Sequence, residues 1–189
     1  MSDDTTTPDD ARRSGWVGRW RPLIRFGVLV AAMAAVIFVV LSDSSADNES
    51  ADIGSFRLRT ADGGEITLAD FHGTPLVVNY FAAWCAPCRA ELPAFEQVSR
   101  EVAADGVRFI GISRDNDESS WRSFIAETGV TFQTVFEGTV GGSFEAVAAK
   151  GMPTTVFVRA DGSVAEVFSG ALPEDTLRAK IDEFLLAGS

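Results

Sequence analysis

Cys85 and Cys88 are the only cysteines in the chain and stand two residues apart. A thiol pair at this spacing can close into a disulfide and reopen, so the chemistry it offers first is thiol–disulfide exchange. A stabilising framework would use several widely spaced cysteines, and so small a loop restrains an unfolded chain little. A structural zinc site needs four ligands, and His72 is the sole histidine, so no metal and no cofactor is expected. Exchange requires one sulfur held as an anion. A free thiol titrates near pH ~8.5, and a helix N-terminus lowers that to roughly 3.5–7.5, because its unpaired N–H groups and dipole favour negative charge. The residues around the pair predict this setting. Leu76–Phe81 (LVVNYF) reads as a buried strand, residues from Cys85 to about Ala104 read as a helix, and Pro87 suits a first turn that needs no donor. Cys85 is expected to be the nucleophile. Cys88, one helical turn on, would resolve the mixed disulfide by attacking the Cys85 sulfur.

The elements that must position the pair are legible on both sides of it. Phe56 and Leu58 alternate with polar residues, Asp62-Gly63-Gly64 supplies a turn, and Ile66 to Leu68 follows, which predicts a hairpin. Further strands are expected over 107–112, 132–136, 154–159 and 164–168, the last two joined at Asp161-Gly162. Helices are expected over 118–128, with Trp121, Phe124 and Ile125 on one face, over 143–149, and from Pro173 to about Ala187, with Leu177, Ile181, Phe184 and Leu185 apolar. The alternation predicts an α/β domain, one sheet with helices on both faces. His72 reads as a surface loop residue and Trp121 as core. The run Arg114-Asp115-Asn116-Asp117-Glu118 lacks the spaced ligands of a calcium loop and reads as the loop before a helix.

Charge and hydropathy divide the chain. Residues 1–42 carry five Arg and four Asp, leaving 11 basic and 23 acidic residues for the remainder. So acidic a domain should repel phosphate backbones, and no nucleic-acid partner is expected. Leu23 to Leu41 gives nineteen residues that are apolar apart from Arg25. About 20 are needed to cross a bilayer core, and Arg25 can snorkel. Arginines before this run and acids after it keep the N-terminus inside. The expected organisation is a cytoplasmic tail over 1–22, a transmembrane anchor or cleaved signal over 23–41, a polar linker over 42–52, and a domain over 53–189 in the extracytoplasmic space. Ser44-Ser45-Ala46 would serve as a cleavage site, so the signal reading stays open.

The run VVNYFAAWCAPCRAELP (Val77 to Pro93), the later Gly151-Met152-Pro153-Thr154, and Asp161-Gly162 resemble the thioredoxin superfamily, and more closely its TlpA/ResA-type membrane-anchored branch, over about 53–187. The resemblance implies a thioredoxin-like fold, a central mixed sheet flanked by helices with an N-terminal β-hairpin. The 41 residues from Ile112 to Pro153 leave room for the helix–strand insertion typical of that branch. It implies that Pro153 is the family's cis-proline, with Met152 presenting backbone to a substrate; an ordinary strand-initiating proline is the alternative. It also implies that Pro93 kinks the active-site helix, and that Glu91, on the face of Cys88, moves the resolving thiol's proton. A solvated Glu91 is the rival reading. Asn79 stands where cytoplasmic thioredoxins carry a buried Asp, which leaves Glu91 as the substitute. Trp84 would shape the docking surface or simply pack.

The function implied is disulfide exchange with protein thiol substrates outside the membrane by a monomeric enzyme. The branch runs in the reducing direction, fed by a membrane thiol carrier, with apocytochrome c as a family-typical substrate. The fold itself does not set the direction, since such pairs span roughly −270 to −120 mV. A disulfide-donating oxidase and a non-catalytic binding module remain as rivals. A peroxiredoxin would need a threonine three residues before the reactive cysteine, where this chain has Ala82.

Overall fold

A computed structural model of the protein describes residues 53–139 and 141–187. The tail 1–22, the apolar run 23–41 and the linker 42–52 lie outside the described residues. Among the described residues no helix is long and apolar enough to cross a membrane.

Strand β3 (Leu76–Phe81) has no polar face, and all six of its residues are buried. Such a strand is stable only where both faces of the sheet are covered. Six further strands accompany it: β1 (Leu58–Thr60), β2 (Glu65–Ile66), β4 (Arg108–Ser113), β5 (Gln133–Phe136), β6 (Thr154–Val158) and β7 (Val164–Ser169). They lie in the order β2-β1-β5-β4-β3-β6-β7. The pairs β3–β4 and β4–β5 are parallel, and the others are antiparallel, so the sheet is mixed as expected. The hairpin's second strand is shorter than the sequence pattern indicates. Leu68 turns into a 3-10 turn over Leu68–Phe71, pinned where the Thr67 N–H donates to Asp70 Oδ2 at 2.7 Å.

Alternation along β3 feeds two layers. Leu76, Val78 and Tyr80 enter one core with Leu58, Ile110, Ile112 and Val156, and Val77 and Phe81 enter clusters on the other side. Three helices cover the Val77–Phe81 side: α1 (Ala86–Glu101) through Leu92, Phe95 and Val98, α2 (Glu118–Thr128) through Trp121 and Phe124, and α4 (Glu174–Ile181) through Leu177 and Ile181. The opposite face is covered by shorter pieces, the Leu68–Phe71 turn and α3 (Ser143–Ala146) with Phe144 and Val147 beside it. The insertion is α2 plus β5. Asp117 caps α2 by accepting from Ser120 N–H at 2.8 Å, Gly129 ends it at φ 69°, and β5 then joins β4 to the hairpin.

Gly111 sits in the centre of β4, paired with Asn79 on one side and Thr134 on the other. A Cβ there would stand 2.8 Å from Phe81 Cε1 and 3.2 Å from both Phe132 Cε2 and Thr134 Cγ2. Overpacking of this kind costs about 1–3 kcal/mol. Gly111→Ala should lower the urea midpoint of the oxidised protein accordingly; an unchanged midpoint would mean that the Phe81 ring has room to yield.

Candidate functional site

β3 delivers the chain to the start of α1, and Cys85 occupies the cap. Its backbone is extended at φ −88° and ψ 101°, and its Sγ accepts the Cys88 N–H at 3.2 Å, so the cap and the expected nucleophile are one atom. Arg89 N–H donates to the Cys85 carbonyl at 3.1 Å, opening the helical ladder behind Pro87. The sulfurs are joined as a disulfide with the Cα atoms 5.3 Å apart. Cys85 is 4% exposed and Cys88 is fully buried, packed with Phe81, Leu92, Trp121 and Phe124. Of the two sulfur-bearing residues, Cys85 is the one that retains any exposure.

The other expected residues gather around this point. The Met152–Pro153 bond is cis, and β6 begins at the next residue, so Pro153 is both the cis-proline and the residue that opens the strand. Its carbonyl accepts from Gly170 N–H at 2.8 Å, and Met152 packs against the cysteine cluster. Trp84 is 65% exposed, the one large apolar side chain so open among the described residues. Pro93 lies inside α1 on its exposed side.

Glu91 is buried, which corrects the solvated alternative. The apolar stripe of α1 runs through Cys88, Leu92, Phe95 and Val98, and Glu91 falls within it. Its Oε1 accepts from Asn79 Nδ2 at 2.9 Å and its Oε2 from Leu172 N–H at 3.0 Å. Burial outweighs those two bonds and pushes its carboxyl up to about 7. Asn79 also donates to Thr155 Oγ1 at 3.3 Å, and its own Oδ1 is buried without a partner.

Two residues of the site escaped the sequence reading. Asp117 does cap α2, but Arg114 and Asp115 turn inward and are 7% and 1% exposed. Asp115 accepts the Ala83 N–H, two residues from Cys85, at 2.9 Å. Arg114 pairs with Glu137 at 2.9 Å and Glu145 at 2.8 Å, and donates to the Gly141 carbonyl at 2.8 Å. Five polar residues in a row look solvated. The signal that could have singled out these two is their place at the carboxyl end of a parallel strand beside the cysteine-bearing one, where open α/β sheets put their sites. His72 is exposed and lines a cavity of about 240 Å³ with Ile53, Leu68, Phe71 and Leu76, beside the end of β3 remote from the cysteines.

A family model described as the AhpC/TSA family matches residues 50–167. The thiol-disulfide oxidoreductase ResA of Oceanobacillus iheyensis is 30% identical over 174 residues, covering 87% of this chain and 90% of that protein. The chain belongs to the AhpC/TSA family, as a ResA-type thiol–disulfide oxidoreductase. ResA of Bacillus subtilis is 26% identical over 83% of this chain and 89% of its own. Among solved structures, a thiol:disulfide interchange protein of Chlorobium tepidum superposes on the ResA-type chain with TM-score 0.62 at 26% identity, covering 74% of this chain and 99% of that one. A secreted Mycobacterium tuberculosis disulfide oxidoreductase does so with TM-score 0.60 at 26% identity over 72% and 98%.

The raised Glu91 pKa has a stability consequence in this ResA-type enzyme. Folded Glu91 holds its proton to about pH 7, against 4.5 when unfolded. The preference is fully present below pH 4.5 and is lost as pH rises through 7, where charging the buried group costs up to about 3 kcal/mol. Oxidised Glu91→Gln should match the parent in urea unfolding near pH 4.5 and exceed it increasingly toward pH 8. An equal gap at both pH values would mean that Glu91 titrates normally.

Proposed function

We propose that this oxidoreductase reduces disulfides of protein substrates on the outer side of the membrane. The observation that carries the reading is the ordered pair, with Cys85 capping a helix at 4% exposure and Cys88 fully buried behind it, three residues from a carboxyl poised near 7. In the forward reaction the Cys85 thiolate attacks a substrate disulfide and one substrate sulfur leaves as a thiol. Cys88 must then lose its proton to displace the second. Glu91, three residues along the same helical face, is the base within reach of that task. Once protonated, its O–H finds an acceptor in Asn79 Oδ1 after a half-turn of that amide. The balance is two electrons and two protons passed to the substrate, leaving the Cys85–Cys88 disulfide.

Trp84, Met152 and the Pro153 strand end form the surface on which an extended peptide would dock, by backbone pairing at Met152 and apolar contact with Trp84. Ala82 offers no hydroxyl to polarise a peroxide, which favours a disulfide as the substrate. The basic-to-acidic switch across residues 23–41 supports an extracytoplasmic domain. The reducing direction, a membrane thiol carrier as electron source and apocytochrome c as substrate follow from the resemblance to the TlpA/ResA branch.

Redox equilibration of the full chain tests the direction. A potential near the thioredoxin value of about −270 mV is expected, and one near −120 mV would assign the protein as a disulfide donor instead. Cys88→Ala should trap partners as mixed disulfides through Cys85. Cytochrome precursors among them would support the specific task, and secreted proteins of other kinds alone would remove it.

A further inference from the structure

Asp115 grips the turn that carries Cys85. Ala83 N–H donates to its Oδ1 at 2.9 Å and its Oδ2 at 3.2 Å, and Ser113 Oγ donates to Oδ2 at 2.9 Å. The same segment fixes the preceding backbone, because Arg114 N–H donates to the Phe81 carbonyl at 2.8 Å. Cys85 N–H in turn donates to the Ala82 carbonyl at 3.0 Å. Asp115 is 1% exposed, and among the described residues no cation pairs with it. The adjacent Arg114 is committed to Glu137 and Glu145. Two neutral donors, the Ala83 N–H shared between both oxygens and the Ser113 hydroxyl, hold this carboxylate in place and bring no positive charge to it.

That charge lies close to the nucleophile. Two peptide units separate Ala83 from Cys85, which places the carboxylate within about 10 Å of the sulfur. At that separation and an effective dielectric of about 20, one charge moves a neighbour's pKa by about one unit, and salt screening over a Debye length of about 10 Å reduces this to about half a unit. The direction opposes the helix N-terminus. The cap favours the thiolate, and Asp115 disfavours it. We propose that Asp115 is a positioning residue that fixes the Ala83–Cys85 turn and holds the Cys85 thiol less acidic than its helix position alone would make it.

The redox consequence follows from the bookkeeping of the half-reaction. Reduction of the disulfide consumes two electrons, and the two sulfurs end as thiol or thiolate. Whatever stabilises the thiolate stabilises the reduced form and makes the pair more oxidising; a charge that destabilises it makes the pair more reducing. Asp115 therefore biases the couple toward electron donation. Among the other charged and titratable groups on the elements around the pair are Arg89 and Glu91 in the first turns of α1, Glu127 on α2 and Lys150 before Pro153; Glu96, Arg100 and Glu101 lie further along α1, and Glu118 and Arg122 in the first turns of α2. Arg89 is paired with Glu127 at 2.7 Å, and Glu91 is held by Asn79 and Leu172. The inference takes the pair as redox-active and does not depend on the cellular direction of electron flow.

Asp115→Asn keeps an oxygen for the Ala83 N–H and removes the charge, and Asp115→Ala removes both. In the full chain, the pH dependence of Cys85 alkylation should give a pKa lower by about half a unit to one unit in the Asn variant. Equilibration with a dithiol buffer should show the reduced form favoured about three- to tenfold more, up to about 30 mV. Asp115→Ala should add a fall in the rate of substrate-disulfide reduction that Asp115→Asn does not share. An unchanged or raised Cys85 pKa in Asp115→Asn would overturn the proposal. So would a parent pKa near the oxidase value of ~3.5, which needs no variant to measure. A parent potential near −120 mV would defeat the reductase reading, and the sign of the Asn shift would still decide this one.

Discussion

The structure depends on a single junction, where a strand buried on both faces ends and a helix begins with a sulfur as its cap. The strand fixes where the helix N-terminus must lie, because six consecutive buried residues leave β3 no freedom to slide. The helix then supplies the electrostatics, since its first N–H groups point at whatever occupies the cap. Placing Cys85 there makes one atom serve the local fold and the chemistry at once.

Burial around that junction is asymmetric, and the asymmetry separates the two sulfurs. The α2 insertion lays Trp121 and Phe124 against the cysteine cluster, so the Cys88 sulfur is enclosed on that side. Enclosure brings its own difficulty, because a buried thiol has no water to take its proton. Glu91 lies within the same buried stripe, and burial raises its carboxyl to about 7, a value that suits the proposed role of proton acceptor near neutrality. The two bonds it accepts, from β3 and from the loop before α4, tie that acceptor to the sheet and to the last helix.

Much of this was legible in the sequence. The β3 run, the C-x-x-C pair, the Glu118–Thr128 helix and the hairpin around Asp161-Gly162 each have a local signature, either a periodicity or a turn residue, and each appears at or within a residue or two of its expected place. The cis bond at Pro153 followed from resemblance and not from local chemistry. What stayed hidden was decided by tertiary contact. Resemblance singled out Glu91, but its burial rests on Asn79 and Leu172, which are brought to it from 12 and 81 residues away. Arg114 and Asp115 sit in a polar run that no pattern distinguishes from solvated loop. Only the sheet order, with β4 beside β3, turns them toward the site.

Arg114 and Asp115 are consecutive yet hold different parts of the molecule, the first the 137–145 segment and the second the backbone just before Cys85. Surface connections in most domains accept added or lost residues with little penalty. Here, losing Arg114 would bring a carboxylate to the first grip and an amide to the second, and a residue added just after Ser113 would bring the guanidinium to the second grip, so either change leaves both partners with the wrong group. The spacing of this connection is thus as restricted as its composition, and changes in chain length should be confined to connections elsewhere in the domain.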